Sequence, residues 1–353
     1  MTKLPKYLSE KRIAVEPPER LVSMGQAKFG TFNAPIPNLN VIECGKKSKF
    51  TEWEAFEISF DEGLIVSAVY NNMYLMGFNI IVFFDKRTGK VSRWLNYKIP
   101  YSNKQIKVAP NLIMTKTEGM RKNSHITMVN NFEKGEVYGK AWATNKKYGT
   151  IEFDMKAKSL SDSCVVSIPF GPNMPLYSQK EFMKGEGTVT VNGEVFKSNE
   201  NTTVIVDDHK GFYPHKAHYD WLTTMGMTEI DGKQQYLAIN FTRNQSTDQD
   251  AYNENILWLD GKSFILPPVN FTYPKCGKHP AGTVWQVKDD HGTVDVTFEI
   301  INTYEMPKVK LGFMKIDYNL PFGKLKGFVK DYDGKVYNLD GMYGIGEDKS
   351  TIL

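Results

Sequence analysis

From about residue 41 onward, apolar and polar side chains alternate with a period of two. Phe56, Ile58 and Phe60 alternate with Glu57 and Ser59, and Ile151, Phe153 and Met155 with Glu152 and Asp154. Val189 and Val191 alternate with Thr188 and Thr190, and Val294, Val296 and Phe298 with Thr293, Asp295 and Thr297. Successive side chains of a strand point to opposite faces, so each run predicts a strand with one apolar face. Between runs stand Thr88-Gly89, Asn192-Gly193, Asp231-Gly232, Asp260-Gly261, Asp333-Gly334 and Asp340-Gly341. Such pairs accept the positive φ angles of tight hairpin turns. Long amphipathic helical windows are scarce, and many short hairpin-linked strands predict an all-β chain of barrels or sandwiches.

At 353 residues the chain exceeds one ordinary core, which predicts two domains. Residues 1–40, rich in Pro, Lys and Glu, read as an irregular arm. Residues 161–186 mix Gly and Pro with a short apolar run and read as a crossover. The break is expected near residue 190, with a first domain over 41–190 and a second over 191–353. An aromatic fraction of 13% agrees with strands. With 44 basic against 40 acidic residues and no Lys/Arg run, a nucleic-acid partner is not expected. Cys44, Cys164 and Cys276 are widely spaced with no C-x-x-C, which predicts three reduced thiols in a cytoplasmic protein. The amino terminus lacks the apolar stretch of a secretory signal. The most apolar run, Met76 to Phe84, is broken by Asn79 and too short for a membrane helix, so no membrane insertion is expected.

The chemistry concentrates in Val204 to Trp221, VIVDDHKGFYPHKAHYDW, which holds His209, His215 and His218. A strand over 215–221 would put His215, Ala217, Tyr219 and Trp221 on one face and Lys216, His218 and Asp220 on the other. His215 and His218 would then diverge, so no metal site is expected. On their shared face, Asp220 would orient His218 and raise its proton affinity, as a general acid or base requires. Adjacent Asp207 and Asp208 point opposite ways, so at most one enters a given cavity. There, an apolar setting would keep it protonated as a donor. Asp208 is the first choice and Asp207 the second, ahead of an expected turn at His209-Lys210-Gly211. Tyr213, Tyr219 and Trp221 would form aromatic walls, and Lys210 and His215 would hold an anionic or hydroxylated group. Tyr177, Gln179 and Lys180 from upstream, with Asn240, Arg243 and Glu254 from downstream, would complete the rim. No P-loop, dinucleotide fingerprint or G-x-S-x-G is present, so no cofactor is expected.

VDDHKGFYPHKAHYDW, then DGKQQYLAINFTRNQ and NENILWLDGK, resembles a bacterial family known only as a domain of unknown function. IPFGPNMPLYSQKEFMKGEGTVTVNGEVF fits the same family. That family is similar to the carotenoid-hydratase-like group of tandem lipocalin-like proteins. The resemblance implies two consecutive lipocalin-like antiparallel β-barrels with a pocket lined by the central segment. Asp208 or Asp207 takes the group's Asp position, and Tyr219-Asp220-Trp221 its aromatic-Asp-aromatic element. In the hydratase branch, the resemblance implies, an Asp protonates an alkene, water captures the cation and aromatic faces stabilise it. The first half lacks that branch's tryptophan-rich opening, and 212–218 is more basic, which turns the expectation away from a carotenoid.

The leading expectation is a cofactor-independent lyase, hydratase or isomerase working by acid–base chemistry in a pocket at the domain interface. Its ligand would be a small apolar, isoprenoid-like molecule or a sugar. One alternative is a glycoside hydrolase with paired carboxylates drawn from Asp208, Asp220 and Glu254. The other is a lipocalin-like protein that binds a small molecule without turnover.

Overall fold

The computed structural model describes residues 7–8, 12–274, 278–306, 309–311 and 314–352. Cys276 lies outside the described residues, as do nine of the first eleven positions on which the reading of the amino terminus rests. Cys44 and Cys164 are free and buried. Among the described residues, no helix is long and apolar enough to cross a membrane.

The chain is all-β. Ten long strands form the body of the first sheet, which has fourteen among the described residues: β1 (Phe50–Phe60), β2 (Gly63–Asn72), β3 (Met76–Asp85), β4 (Lys90–Lys98), β5 (Thr115–Arg121), β6 (Ser124–Asn131), β7 (Glu136–Asn145), β8 (Gly149–Ser159), β9 (Pro175–Val191) and β10 (Thr203–Phe212). Their order is β4-β3-β2-β1-β10-β9-β8-β7-β6-β5, and each of these neighbouring pairs is antiparallel. The sheet curls until its ends meet: Asn79 on β3 donates to the Gly119 carbonyl on β5 at 2.6 Å, and Trp94 on β4 donates to the Gly149 carbonyl at 2.9 Å. Phe56, Ile58, Phe153, Met155, Val204 and Val206 fill this barrel.

Nine strands form the path of the second sheet, which has eleven among the described residues: β11 (Lys216–Ile230), β12 (Lys233–Arg243), β13 (Ile256–Leu259), β14 (Lys262–Ile265), β15 (Asn270–Thr272), β16 (Val284–Lys288), β17 (Val294–Glu305), β18 (Met314–Lys330) and β19 (Tyr343–Ile352). Their order is β14-β13-β12-β11-β19-β18-β17-β16-β15, a half-barrel around Leu222, Phe241, Leu257, Trp285 and Phe298. The chain changes sheets between Phe212 and Lys216, beyond the break expected near residue 190, which falls inside β9. The Asn-Gly and Asp-Gly pairs do form turns: Asp231 and Gly232 have φ of 53° and 74°, and Asn192 and Gly193 have 51° and 85°.

Two expectations are corrected here. His209-Lys210-Gly211 is no turn, because β10 runs unbroken through it, paired with β1 on one side and β9 on the other. Strand β1 is buried along its whole length, because its second face is covered by the second sheet instead of water. That face carries Trp53 and Ala55, which pack with Tyr219, Trp221, Tyr318, Phe322 and Ile345 from the other domain.

Candidate functional site

Register places the site. In one row across β2, β1, β10 and β9 stand Tyr70, Trp53, His209 and Ser178; in the next, Ala68, Ala55, Asp207 and Lys180. The small alanines leave space in front of Asp207. These rows face the second domain, and the cleft between them is lined by Glu57, Lys180, Asp207, His209, Tyr213 and Trp221, with Glu254 and Glu347. A second arm, continuous with it through Tyr70, Tyr213 and Tyr219, is lined by Phe78, Ile80, Met306, Ile316, Tyr318 and Lys349.

Lys180 is enclosed, and its ammonium lies 2.6 Å from Asp207 and 3.5 Å from Glu254. Ser178 donates to the Glu254 carboxylate. His209 packs against Trp53 at a tilt, with ring centroids 4.5 Å apart. Its Nε2 stands 2.9 Å from Ser178 Oγ, 3.1 Å from Lys180 Nζ, 3.1 Å from Asp207 Oδ1 and 3.3 Å from Glu254 Oε2, while Nδ1 has no hydrogen-bond partner. One nitrogen thus sits among two carboxylates and an ammonium. A Ser-His-Asp triad needs the carboxylate at the other nitrogen, so Ser178 is not arranged as a nucleophile.

The carboxyls of the cleft divide into two kinds. Burial pushes Asp207 and Glu254 upward, but Lys180 and His209 outweigh it and hold both below the ordinary carboxylate range. Burial pulls His209 down, but Asp207 and Glu254 bring it above its ordinary value. Glu57 has no cation to itself: burial and the charge of Asp207 push it well above the ordinary range. Burial raises Glu347 as well, against Lys349 and the phenols of Tyr318 and Tyr219. The result is a carboxylate held toward its ionised form, Asp207, facing the same space as a carboxyl driven toward its protonated form, Glu57.

Of the residues expected from sequence, Asp207, Lys180, Tyr213, Tyr219, Trp221 and Glu254 meet in this cleft. Asn240 supports it, accepting the Trp221 indole N–H at 2.6 Å and donating to the Glu254 carbonyl at 2.8 Å. The others lie elsewhere. Asp208 points into the first barrel, where Lys210 donates to it and Glu54 stands near, because alternation on β10 sends it away from Asp207. Tyr177 and Gln179 lie on the corresponding face of β9, the phenol donating to the amide oxygen at 2.8 Å. His215 is exposed in the loop between sheets, and Arg243 stands at the end of β12, outside the lining. His218 and Asp220 do share a face, 3.3 Å apart, but at the mouth of the second half-barrel, with the imidazole half exposed. There Tyr273 donates to Asp220 at 2.6 Å, and Asp348 lies 3.7 Å from His218. The pair therefore does not reach the interdomain cleft.

Sequence reading passed over Trp53, Glu57, Tyr70, Glu347 and Lys349, and did not place His209. The available signal was FTEWEAFEISF, in which acidic and aromatic residues share the alternation of a strand otherwise rich enough in apolar groups to be buried.

No curated protein matches the chain. Among solved structures, it is similar to kievitone hydratase from Nectria haematococca, with a TM-score of 0.50 and 12% identity over 86% of this chain and 88% of that one. An AttH-like protein from Nitrosomonas europaea aligns with a TM-score of 0.39 and 11% identity, over 86% of this chain and 92% of that one. The first likeness is one of fold, two lipocalin-like barrels in tandem. The sequence matches, over residues 12–351, the family described as "Domain of unknown function (DUF2804)", and the chain belongs to that family.

Proposed function

We propose that this protein is a cofactor-independent enzyme that adds water to, removes water from or isomerises an unsaturated small molecule in the interdomain cleft. The observation that carries this reading is the placing of Glu57 and Asp207, whose proton affinities are shifted in opposite directions, in one aromatic-walled space. Two titratable groups whose surroundings drive their proton affinities apart supply an acid and a base at one pH. In hydration, Glu57 delivers its proton to one carbon of the double bond. The developing cation lies against the aromatic lining of the cleft, Tyr213 among it. Water bonds to the other carbon and gives up its proton to Asp207, which His209 and Lys180 hold in place. Passage of that proton from Asp207 to Glu57 restores the starting state, and the same steps reversed give dehydration.

The hydratase of similar fold supports this reading by analogy alone, since one fold hosts many chemistries. The hydrolase alternative is less well supported: Asp208, Asp220 and Glu254 occupy the barrel interior, the half-barrel mouth and the cleft respectively. The test is incubation with polyenes, terpenoids and unsaturated fatty acids in heavy-oxygen water, alongside a panel of glycosides. The expected result is a product that has gained one labelled water. Its rate should fall by about 10²–10⁴-fold in Glu57→Gln, as for loss of a general acid, with binding retained. Turnover confined to glycosides, or hydration indifferent to Glu57→Gln, overturns the proposal. A carrier would bind the same ligands in both forms and yield no product.

A further inference from the structure

Among the described residues, the second arm of the cleft is lined by one basic side chain. Lys349 stands on β19 between Tyr219 of β11 and Tyr318 of β18, its direct cross-strand neighbours. Facing this row from the first barrel is another, Trp53 opposite Tyr70. The Lys349 ammonium lies 5.3 Å from the Tyr219 ring centre, 5.4 Å from Trp53, and 5.9 Å from both Tyr70 and Tyr318. Four ring faces thus surround one charge, two from each domain. Ring faces favour the ammonium electrostatically but accept no ordinary hydrogen bond from it, and it carries three N–H donors.

The enclosed lysines elsewhere are treated differently. Lys180 is paired with Asp207, Lys210 with Asp208, and Lys86 donates to Ser59 and the Phe60 carbonyl. Lys349 makes no ion pair or hydrogen bond among the described residues; its contacts are the four rings. Glu347, two residues away on the same face, instead takes the Tyr318 hydroxyl. A donor-rich cation left open toward a cavity walled largely by rings and by Phe78, Ile80, Met306 and Ile316, with Thr51, Asn72 and Thr351 as its uncharged polar groups, is suited to one kind of guest.

We infer that Lys349 is the anchor for a carboxylate, and that the substrate is an unsaturated aryl or isoprenoid acid whose hydrocarbon body lies along the aromatic arm. With its acid group at Lys349, such a molecule would extend past Tyr70 and Tyr219, which line both arms, toward Glu57 and Asp207. The inference rests on the cleft being the substrate site, and its test reads equilibrium binding, so it stands or falls separately from turnover.

The probes are matched pairs of acid and neutral amide: cinnamate with cinnamamide, and geranate with geranamide. Binding is followed by calorimetry and by quenching of tryptophan fluorescence. A charge-assisted hydrogen bond in a site shielded from water should favour the acid by about tenfold or more. Lys349→Met should abolish that preference, Lys349→Arg should keep it, and Glu57→Gln should leave it intact while slowing any turnover. Circular dichroism and thermal unfolding confirm that each variant is folded; should Lys349→Met fail to fold, Lys349→Gln takes its place under the same expectation. Equal affinity for acid and amide, a preference that survives in folded Lys349→Met, or no binding of either acid to the wild type at millimolar concentration overturns the inference.

Discussion

Lys180 neutralises two carboxylates, Asp207 at 2.6 Å and Glu254 at 3.5 Å, with its own side chain almost wholly out of solvent. Removing one member of a buried ionic group leaves the others charged in a medium that solvates them poorly, which costs about 3–5 kcal/mol. Lys180→Met should lower unfolding free energy by about that amount in urea titrations. Combining it with Asp207→Asn should cost less than the two separate losses summed, because the second change removes a charge the first left stranded. Additive losses would show that the three groups do not act as a unit. Much of this cluster could be read from the chain: Lys180, Asp207 and Glu254 were singled out by their polar density. Glu57 could not, since an acidic residue alternating with Phe56 and Ile58 reads as the outer face of a strand. Only a second domain against that face makes it a buried acid.

Strand β10 is the element on which the site depends, because it serves two compartments at once. Val204, Val206, Asp208 and Lys210 face the first barrel; Ile205, Asp207 and His209 face the second domain. The alternation was legible, and so was the rule that Asp207 and Asp208 part company. Which of them reached the cleft was not, because β10 lies between two sheet partners from distant parts of the chain. Gly211 shows the same limit. It read as a bend, yet it lies in the strand where β10 passes close to β9. A Cβ there would come within 2.6 Å of the Pro175 carbonyl oxygen and 2.8 Å of Leu176 Cα, both backbone atoms with little freedom to yield. Gly211→Ala should cost about 1–3 kcal/mol by overpacking and should weaken ligand binding, since it pushes apart the strands that carry His209 and Ser178. Unchanged melting and binding would mean that the strands separate without strain.

Across the whole molecule, burial of acids between and within the barrels sets an uncommon pH dependence. Burial pushes Glu54, inside the first barrel, up to about 8, and Glu181 up to about 7; it also raises Glu57, Glu347, Glu52 and Asp208. A group whose affinity for protons is raised by folding contributes stability that is complete below its unfolded value and lost as pH rises through its folded one. His209 acts in the same direction. Asp207 and Glu254, held low, contribute stability that is lost instead as pH falls. Melting temperature should therefore peak in the mildly acidic range and decline as pH rises through about 7 and 8, the folded values of Glu181 and Glu54. Thermal unfolding across that range tests this, and Glu54→Gln should flatten the decline. A melting temperature that rises or stays level there would contradict the burial of these acids in neutral form.

The sequence alone determined that the chain is all-β, where several of its hairpins turn, and that its polar chemistry concentrates between Asp207 and Trp221, because alternation and positive-φ turn residues act over a few neighbouring positions. The tertiary structure decided which faces of those strands meet. A strand's polar face looks the same in sequence whether it borders water or a second domain. Trp53, Glu57, Tyr70, Glu347 and Lys349 acquire their chemistry only when β1 and β2 of one sheet close upon β11, β18 and β19 of the other, and water is excluded between them.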